Sequence, residues 1–161
     1  MKGFTDLSVF AAFLNARAVE AHEAAQHALG HGAAIIRDEA RMRIGSYQDG
    51  VGPFNGWDSL AEATQRQRER QGYAPDDPLL RAGSLRSAIS SEQKGNDAAA
   101  GVKHGQSGID GQDLAMIATV MELGSARVPA RPYLGPAGFV KGEDVAKIVG
   151  QAVSDSLAGK K

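Results

Sequence analysis

The feature that most constrains the fold is a long helical pattern at the start of the chain. Apolar residues recur at three- and four-residue steps from Asp6 to about Ile44. Gly30 and Gly32 each weaken a helix by roughly 1 kcal/mol relative to alanine, so we expect a bend or break near them. Unbroken, the helix would reach roughly 55 Å at about 1.5 Å per residue, which is too long for one small globule. We therefore predict a helical arm over residues 1–44, part of which packs against another subunit.

The rest of the chain, residues 45–161, mixes helical and strand patterns. Alternating apolar and polar residues favour two strands joined by a hairpin turn over residues 94–97. In chain order, the predicted elements are a polar helix ending near Gln71, strands over 84–93 and 98–104, a helix over 114–123 and a final helix starting at Gly142.

Length and composition exclude several classes of protein. At 161 residues the chain suits one domain, and its net charge of -1 gives no general affinity for nucleic acid. The absence of cysteine excludes disulfides and thiolate metal sites. The first residues do not read as a signal peptide, because Asp6 interrupts them and an amphipathic segment follows. No apolar run approaches the roughly 20 residues needed to span a bilayer, so we expect no membrane partner.

A proline-rich segment over residues 121–137 is the strongest candidate for a functional surface. Pro129 and Pro132 fix their own φ angles and favour extended conformations in the residues before them. The segment is therefore predicted to be a stiff connection from which Arg127 and Arg131 project. It has no phosphate-binding glycine pattern and no nucleophile elbow. Such a loop is better suited to holding a partner than to chemistry.

Candidate catalytic and metal-binding patterns are weak. Glu23, His27 and His31 share one helix face, a spacing that can hold a transition metal. A solvated face on an alanine-rich helix explains them better. Four serines near the predicted hairpin, at positions 84, 87, 90 and 91, are better explained as its wet face than as catalytic nucleophiles. We expect no metal, no cofactor and no enzymatic activity.

The arginines and the single tryptophan leave alternatives open. Four arginines can form a basic strip if the proline-rich segment folds over the hairpin, namely Arg81, Arg86, Arg127 and Arg131. The strip would contact DNA phosphates or acidic partner loops. Alternatively, these arginines pair locally with acidic neighbours, namely Glu122, Glu92 or Asp110. Trp57 is either an interface anchor or a core residue, and we favour the core.

Three segments, taken in order, resemble the neck or tail-completion family of long-tailed double-stranded-DNA phages, which is related to the virion morphogenesis protein of Mu-like phages. The first is Phe-Asn-Gly-Trp-Asp-Ser-Leu over residues 54–60, with Thr64 following. The second is Leu-Leu-Arg-Ala-Gly-Ser-Leu-Arg-Ser-Ala-Ile over 79–89. The third joins Glu-Leu-Gly-Ser at 122–125 to Val-Pro-Ala-Arg-Pro-Tyr-Leu at 128–134, which is similar to the family's Glu-Phe-Gly-Thr and Pro-Ala-Arg-Pro-Phe-Leu.

The resemblance implies a fold and a role. The fold is α+β, with a long N-terminal helix, a small antiparallel sheet and a C-terminal helix packed on the sheet, and residues 45–161 form the tail-completion-like domain. The role is that of a structural virion protein of the neck. Copies form a ring, expected to be a hexamer, that joins the tail to the head-side connector around the DNA channel. Two departures are a helical pattern over 106–121, where some relatives have strand, and a longer stretch before Gly32.

The implied partners are other copies in the ring, a tail terminator or tail tube protein, and head-closure or connector proteins, with transient contact to packaged DNA. The protein would be assembled in the host cytoplasm and reside in the virion. Alternatives are a tail terminator or head-closure (stopper) protein of the same junction and, from another class, a DNA-binding module. Arg131 is expected to make a charge-assisted contact with a neighbour, and Arg131→Ala to leave the monomer folded. The predicted interface residues are Trp57, Glu122, Gly124, Arg127, Pro129, Arg131, Pro132 and Tyr133.

Overall fold

One helix, α1 (Leu7–Arg43), dominates the architecture. The computed structural model describes residues 6–160. The Asp6 carboxylate caps the start of α1 by accepting a 2.8 Å hydrogen bond from the backbone N–H of Ser8. Arg41 and Arg43 lie in the last turn, where cations interact favourably with the helix dipole.

The predicted break in the middle of α1 is wrong, because the helix continues through both glycines. Their role is close packing. A Cβ on Gly32 would lie 2.5 Å from Cγ1 of Val145, and one on Gly30 would lie 3.3 Å from Cβ of Gln93. The missing side chains therefore let two later elements approach the α1 backbone, a gain that offsets the low helix propensity of glycine.

The remaining elements follow α1 in an α+β order that confirms the predicted fold class. They are α2 (Glu62–Arg70), α3 (Ser84–Ala88), β1 (Ile89–Lys94), β2 (Asp97–Val102), α4 (Leu114–Leu123) and α5 (Leu134–Leu157).

The sheet is a single antiparallel hairpin that packs against α1. Its register runs from Ile89 opposite Val102 to Lys94 opposite Asp97. The predicted first strand begins too early, because residues 84–88 form the short helix α3 instead. Gly83, with φ of 76°, turns the chain into α3, and the helical spacing of Leu85 and Ala88 turns both side chains inward.

The C-terminal helix α5 runs antiparallel to α1, which is its main packing partner. Helix α1 also contacts both strands. Arg17 Nη1 lies 3.5 Å from the Ser156 carbonyl oxygen at one end of the helix pair. Lys141 Nζ lies 3.7 Å from the Glu39 carboxylate toward the other end. Helix α5 begins before the predicted Gly142, since proline is tolerated in a first helical turn and Pro136 lies there.

The buried core lies where the end of α1 meets α3, β1, α4 and the start of α5. It consists of Ala40, Ile44, Trp57, Leu85, Ile89, Ala118, Tyr133 and Ala137. Each of the three segments that carry the family resemblance contributes at least one of these residues. The core is therefore built around those segments rather than beside them.

The first turns of α1 present apolar side chains to the surface. Leu7 is 81% exposed and Leu14 is 49% exposed. The end of α5 lies beside Arg17, so these turns extend past the helix that covers the rest of α1. Within residues 6–160, no helix combines the length and apolar character required to cross a bilayer.

Candidate docking groove

Hydrogen bonds join the first and third of the resemblance segments. The indole Nε1–H of Trp57 donates to the carbonyl oxygen of Pro132 over 3.0 Å. Arg131 Nη2 donates to the carbonyl oxygens of Asp58 and Ser59 over 3.0 and 3.3 Å. Because both donors are buried side chains, these bonds fix the two backbones relative to each other.

Glu122 supplies the N-terminal cap of α5 from outside that helix. Its carboxylate accepts hydrogen bonds from the backbone N–H groups of Tyr133, Leu134 and Gly135, at 2.9, 3.0 and 2.7 Å. Three donors that no intrahelical carbonyl can reach are satisfied, and the negative charge lies at the positive end of the helix dipole. The end of α4 is thereby tied to the start of α5.

The loop between α4 and α5 is held by its own backbone. Gly124 has φ of 76°, and a Cβ there would lie 3.0 Å from the amide nitrogen of Ala130. The Ser125 hydroxyl accepts hydrogen bonds from the N–H groups of Arg127 and Val128, at 3.3 and 3.1 Å. Arg131 N–H donates to the Met121 carbonyl oxygen over 2.6 Å. These contacts agree with the stiffness expected of the proline-rich segment.

The predicted interface residues divide into buried and exposed groups. Trp57, Arg131 and Tyr133 lie in the interior of this chain, at 7%, 5% and 2% exposure, as does Pro132. Trp57 is thus a core residue, which is the alternative that we favoured from the sequence. Burial, and secondarily the charge of Glu122, raises the pKa of the Tyr133 hydroxyl well above its usual range.

The surface group consists of Arg127 and Pro129, both exposed, with Glu122 and Gly124 half-buried. The buried residues hold the loop in shape, and the exposed ones are available to a partner. The interface role of the loop as a whole stays a prediction.

A groove of about 560 Å³ lies between the three segments. Its walls are largely apolar and include Leu60, Leu79, Leu85, Leu114, Ile117 and Met121. Leu79 has φ of 62°, the only positive φ of a non-glycine residue within 6–160. Such strain persists only where surrounding structure enforces it, and it is concentrated at functional sites.

The polar side of the groove is formed mainly by arginines. Four of them line it, Arg68, Arg81, Arg127 and Arg131, and no aspartate or glutamate among the described residues does. Arg68 is 9% exposed and donates to the Asp77 carbonyl oxygen. Burial is the largest influence on the Arg68 guanidinium and lowers its pKa, which still leaves an arginine charged. The groove is therefore a cationic, mostly apolar cleft.

The predicted basic strip is assembled only in part. Arg81, Arg127 and Arg131 line the groove, whereas Arg86 lines a separate cleft. Of the alternative local pairs, the structure shows one, Arg81 Nη2 to the Asp110 carboxylate at 2.8 Å. The other two acidic candidates have different partners. Glu122 accepts hydrogen bonds from the backbone of α5, and Glu92 pairs with Lys103.

Arg68 was not among the predicted site residues. In sequence, α2 is polar almost all round, and no periodicity separates Arg68 from its neighbours Arg66 and Arg70. Only the fold distinguishes them, because the loop at Asp77 closes over this one side chain. Arg66, by contrast, pairs with Glu62 on the surface.

The weaker candidates from sequence occupy other parts of the molecule. Glu23, His27 and His31 are exposed on α1, and no cluster of three or more potential metal ligands occurs within residues 6–160. The Ser90 hydroxyl bonds the Gly101 carbonyl oxygen, and the Ser91 hydroxyl accepts from Arg37. Both serines thus take part in fixing the hairpin and its contact with α1.

Comparison of the chain with known protein families, with curated proteins and with solved structures finds no match. The family resemblance accordingly stays a prediction from the three segments.

Proposed function

We propose that this chain is a structural virion protein of the phage neck, which forms a ring joining the tail to the head-side connector around the DNA channel. One observation carries the proposal. The three resemblance segments, far apart in sequence, meet in one core and enclose one groove. The segments that carry the resemblance thus contribute to the same core and the same groove.

The proposed role includes no catalysis. The ionisable residues of the third segment engage backbone groups: Glu122 accepts from three N–H groups of α5, and Arg131 donates to two carbonyl oxygens. Groups used in this way fix loops and helix ends. A rigid, loop-bearing domain of this kind supports assembly.

A ring of identical copies needs two different complementary surfaces on each copy. The exposed apolar turns of α1 are proposed as one of these surfaces, whereas the groove is left for a partner other than a second copy. A hexamer would match the symmetry expected of the tail. The proposed partners beyond the ring are a tail terminator or tail tube protein on one side and head-closure or connector proteins on the other.

Antibody labelling of purified virions from the phage that encodes the chain tests this proposal. We expect label at the head–tail junction, and a ring of protein density there in a reconstruction. A reconstruction also separates the tail-completion role from those of a tail terminator or head-closure protein, because each occupies a different layer. Label confined to the capsid or the distal tail, or absent from virions, would contradict the proposal.

The DNA-binding alternative rests on the same arginines and is tested separately. Phosphate contacts by several arginines predict duplex binding that weakens steeply with salt. The walls of the groove are largely apolar and offer a duplex few contacts besides the arginines, so we expect weak binding by the free protein. Tight binding at low salt that is lost in Arg127→Gln would favour the DNA-binding module instead.

A further inference from the structure

We propose that the groove binds an extended segment of a neighbouring neck protein that carries apolar side chains and a carboxylate. The groove is the cleft lined by residues 59–61, 79–85 and 121–131 together with parts of α2 and the loop before α4. The inference rests on the proposed function only for the source of the segment. The chemistry of the segment follows from the groove itself.

Two buried arginines of the groove lack a counter-ion. Arg68 and Arg131 are each more than nine-tenths buried and line the groove. Neither forms an ion pair with any described residue, and both donate hydrogen bonds to backbone carbonyl oxygens. Burial lowers the pKa of Arg68, and the charge of Asp77 counteracts this shift only in part. Buried charges are normally paired, so a carboxylate from outside the chain is the missing counter-ion.

Two arginines of the groove have unsatisfied donors. The Nε atoms of Arg81 and Arg131 are buried and have no hydrogen-bond partner among residues 6–160, and both side chains line the groove. A buried donor without a partner destabilises a fold. A carboxylate accepts several hydrogen bonds from arginine in a planar geometry, and water or a hydroxyl matches that geometry less well.

The groove has the size and apolar surface of a binding cleft. Its volume of about 560 Å³ lies within the range of small-molecule pockets, roughly 300–1,000 Å³. Ile109 and Pro129 both line it, and Ile109 is 64% exposed. An extended segment directs alternate side chains to one side, which suits a cleft lined by apolar residues and several arginines.

Charge also distinguishes the occupant from a second copy of this chain. The exposed apolar turns of α1 have no acidic residue over positions 7–16, so they do not complement the arginines. A nucleic acid would match the charge and leave the apolar walls exposed. A different protein with an acidic, apolar segment satisfies both requirements.

The test measures fluorescence anisotropy of the full chain with labelled synthetic peptides. In one peptide leucine alternates with glutamate, and in a matched peptide it alternates with glutamine. We expect the glutamate peptide to bind at least about tenfold more tightly, since charge-assisted hydrogen bonds are roughly twice as strong as neutral ones. No binding, or equal binding of the two peptides, would overturn the proposal.

Two exposed positions provide matched variants that should fold. Ile109→Glu places a negative charge at the groove edge and is expected to weaken the glutamate peptide at least about tenfold. Met116→Glu makes the same change on α4 at a residue that is 70% exposed and outside the groove, and should leave binding unchanged. An equal effect of both variants would place the peptide elsewhere and overturn the assignment.

Sedimentation of the same variants distinguishes the source of the segment. If the free chain self-associates and Ile109→Glu alone abolishes this, the occupant is a second copy and the proposal is wrong. The peptide result is independent of where the protein lies in a virion, so it can fail or succeed separately from the proposed neck function.

Discussion

The carboxylate of Glu122 accepts a 2.7 Å hydrogen bond from the backbone N–H of Gly135, so a side chain in the last turn of α4 caps the first turn of α5. The same carboxylate accepts from Tyr133 and Leu134. We predict that Glu122→Ala lowers the free energy of unfolding by about 2–3 kcal/mol, because three helix-terminal donors lose a charged acceptor. Urea denaturation measures the change.

Glu122→Gln retains a neutral acceptor and should cost less than the alanine variant, about 1 kcal/mol. Glu143→Ala serves as the control, since that side chain is 81% exposed and pairs with Lys147 on the surface. Its loss should be below about 0.5 kcal/mol. Equal losses for Glu122→Ala and Glu143→Ala would show that the cap contributes little.

Packing of α5 on α1 depends on a glycine. A Cβ on Gly32 would lie 2.5 Å from Cγ1 of Val145, so Gly32→Ala should destabilise by about 1–3 kcal/mol despite the better helix propensity of alanine. Gly142→Ala, where a Cβ has open space, should instead stabilise by up to about 1 kcal/mol. Thermal unfolding compares the two.

The double variant Gly32→Ala with Val145→Ala provides a check on the cause. Removing the γ-methyl groups relieves the overlap, so the two losses should be less than additive. Additive losses would mean that the helices do not approach each other at this point.

Several helices and the hairpin could be predicted from sequence because they depend on periodic patterns that are local, whereas the α+β class was expected from the family resemblance. The three- and four-residue spacing defines α1 and α4, and the alternation with a turn at residues 94–97 defines the hairpin. The predictions were wrong where a tertiary contact, and not the local sequence, determines the structure. Gly30 and Gly32 indicate a weak helix when read alone, and only the neighbouring elements explain why the helix continues through them.

The groove could be predicted only in part for the same reason. The third segment was identified as stiff and arginine-bearing, and three of the four suggested arginines do meet. That Arg131 faces inward is decided by the carbonyl oxygens of Asp58 and Ser59, more than 70 positions away in the chain. Arg68 joins the site through the loop at Asp77, and no local pattern reports that contact.

Burial of Arg131 changes the expected effect of its substitution. From sequence, Arg131→Ala should leave the monomer folded. The structure instead predicts a loss of about 2 kcal/mol, because two carbonyl oxygens lose their donor and the side chain leaves a cavity. Arg127→Ala, at an exposed position in the same loop, should change stability by less than about 0.5 kcal/mol. Guanidinium denaturation measures both, and a neutral Arg131→Ala would contradict its structural role.

Tyr133 predicts a loss of stability at alkaline pH. Burial raises the pKa of its hydroxyl in the folded chain, while the unfolded value is about 10. Above pH about 10 the unfolded state releases this proton and the folded state retains it, so the free energy of unfolding falls as pH rises. Tyr133→Phe removes this contribution and should flatten the alkaline limb. A profile with the same slope in both proteins would show that Tyr133 does not titrate on unfolding.

We predict that the exposed turns of α1 mediate self-association and do not stabilise the fold of the monomer. Leu7 is 81% and Leu14 49% exposed, and the end of α5 lies farther along α1, beside Arg17. The double variant Leu7→Glu with Leu14→Glu should therefore change the free energy of unfolding by less than about 0.5 kcal/mol. It should also shift the chain toward monomer in sedimentation velocity, because burial of apolar side chains drives such contacts. Met42→Glu is the control, since that side chain is 64% exposed at the other end of the same helix. An unchanged oligomer in the Leu7–Leu14 variant would remove this surface from the proposed ring.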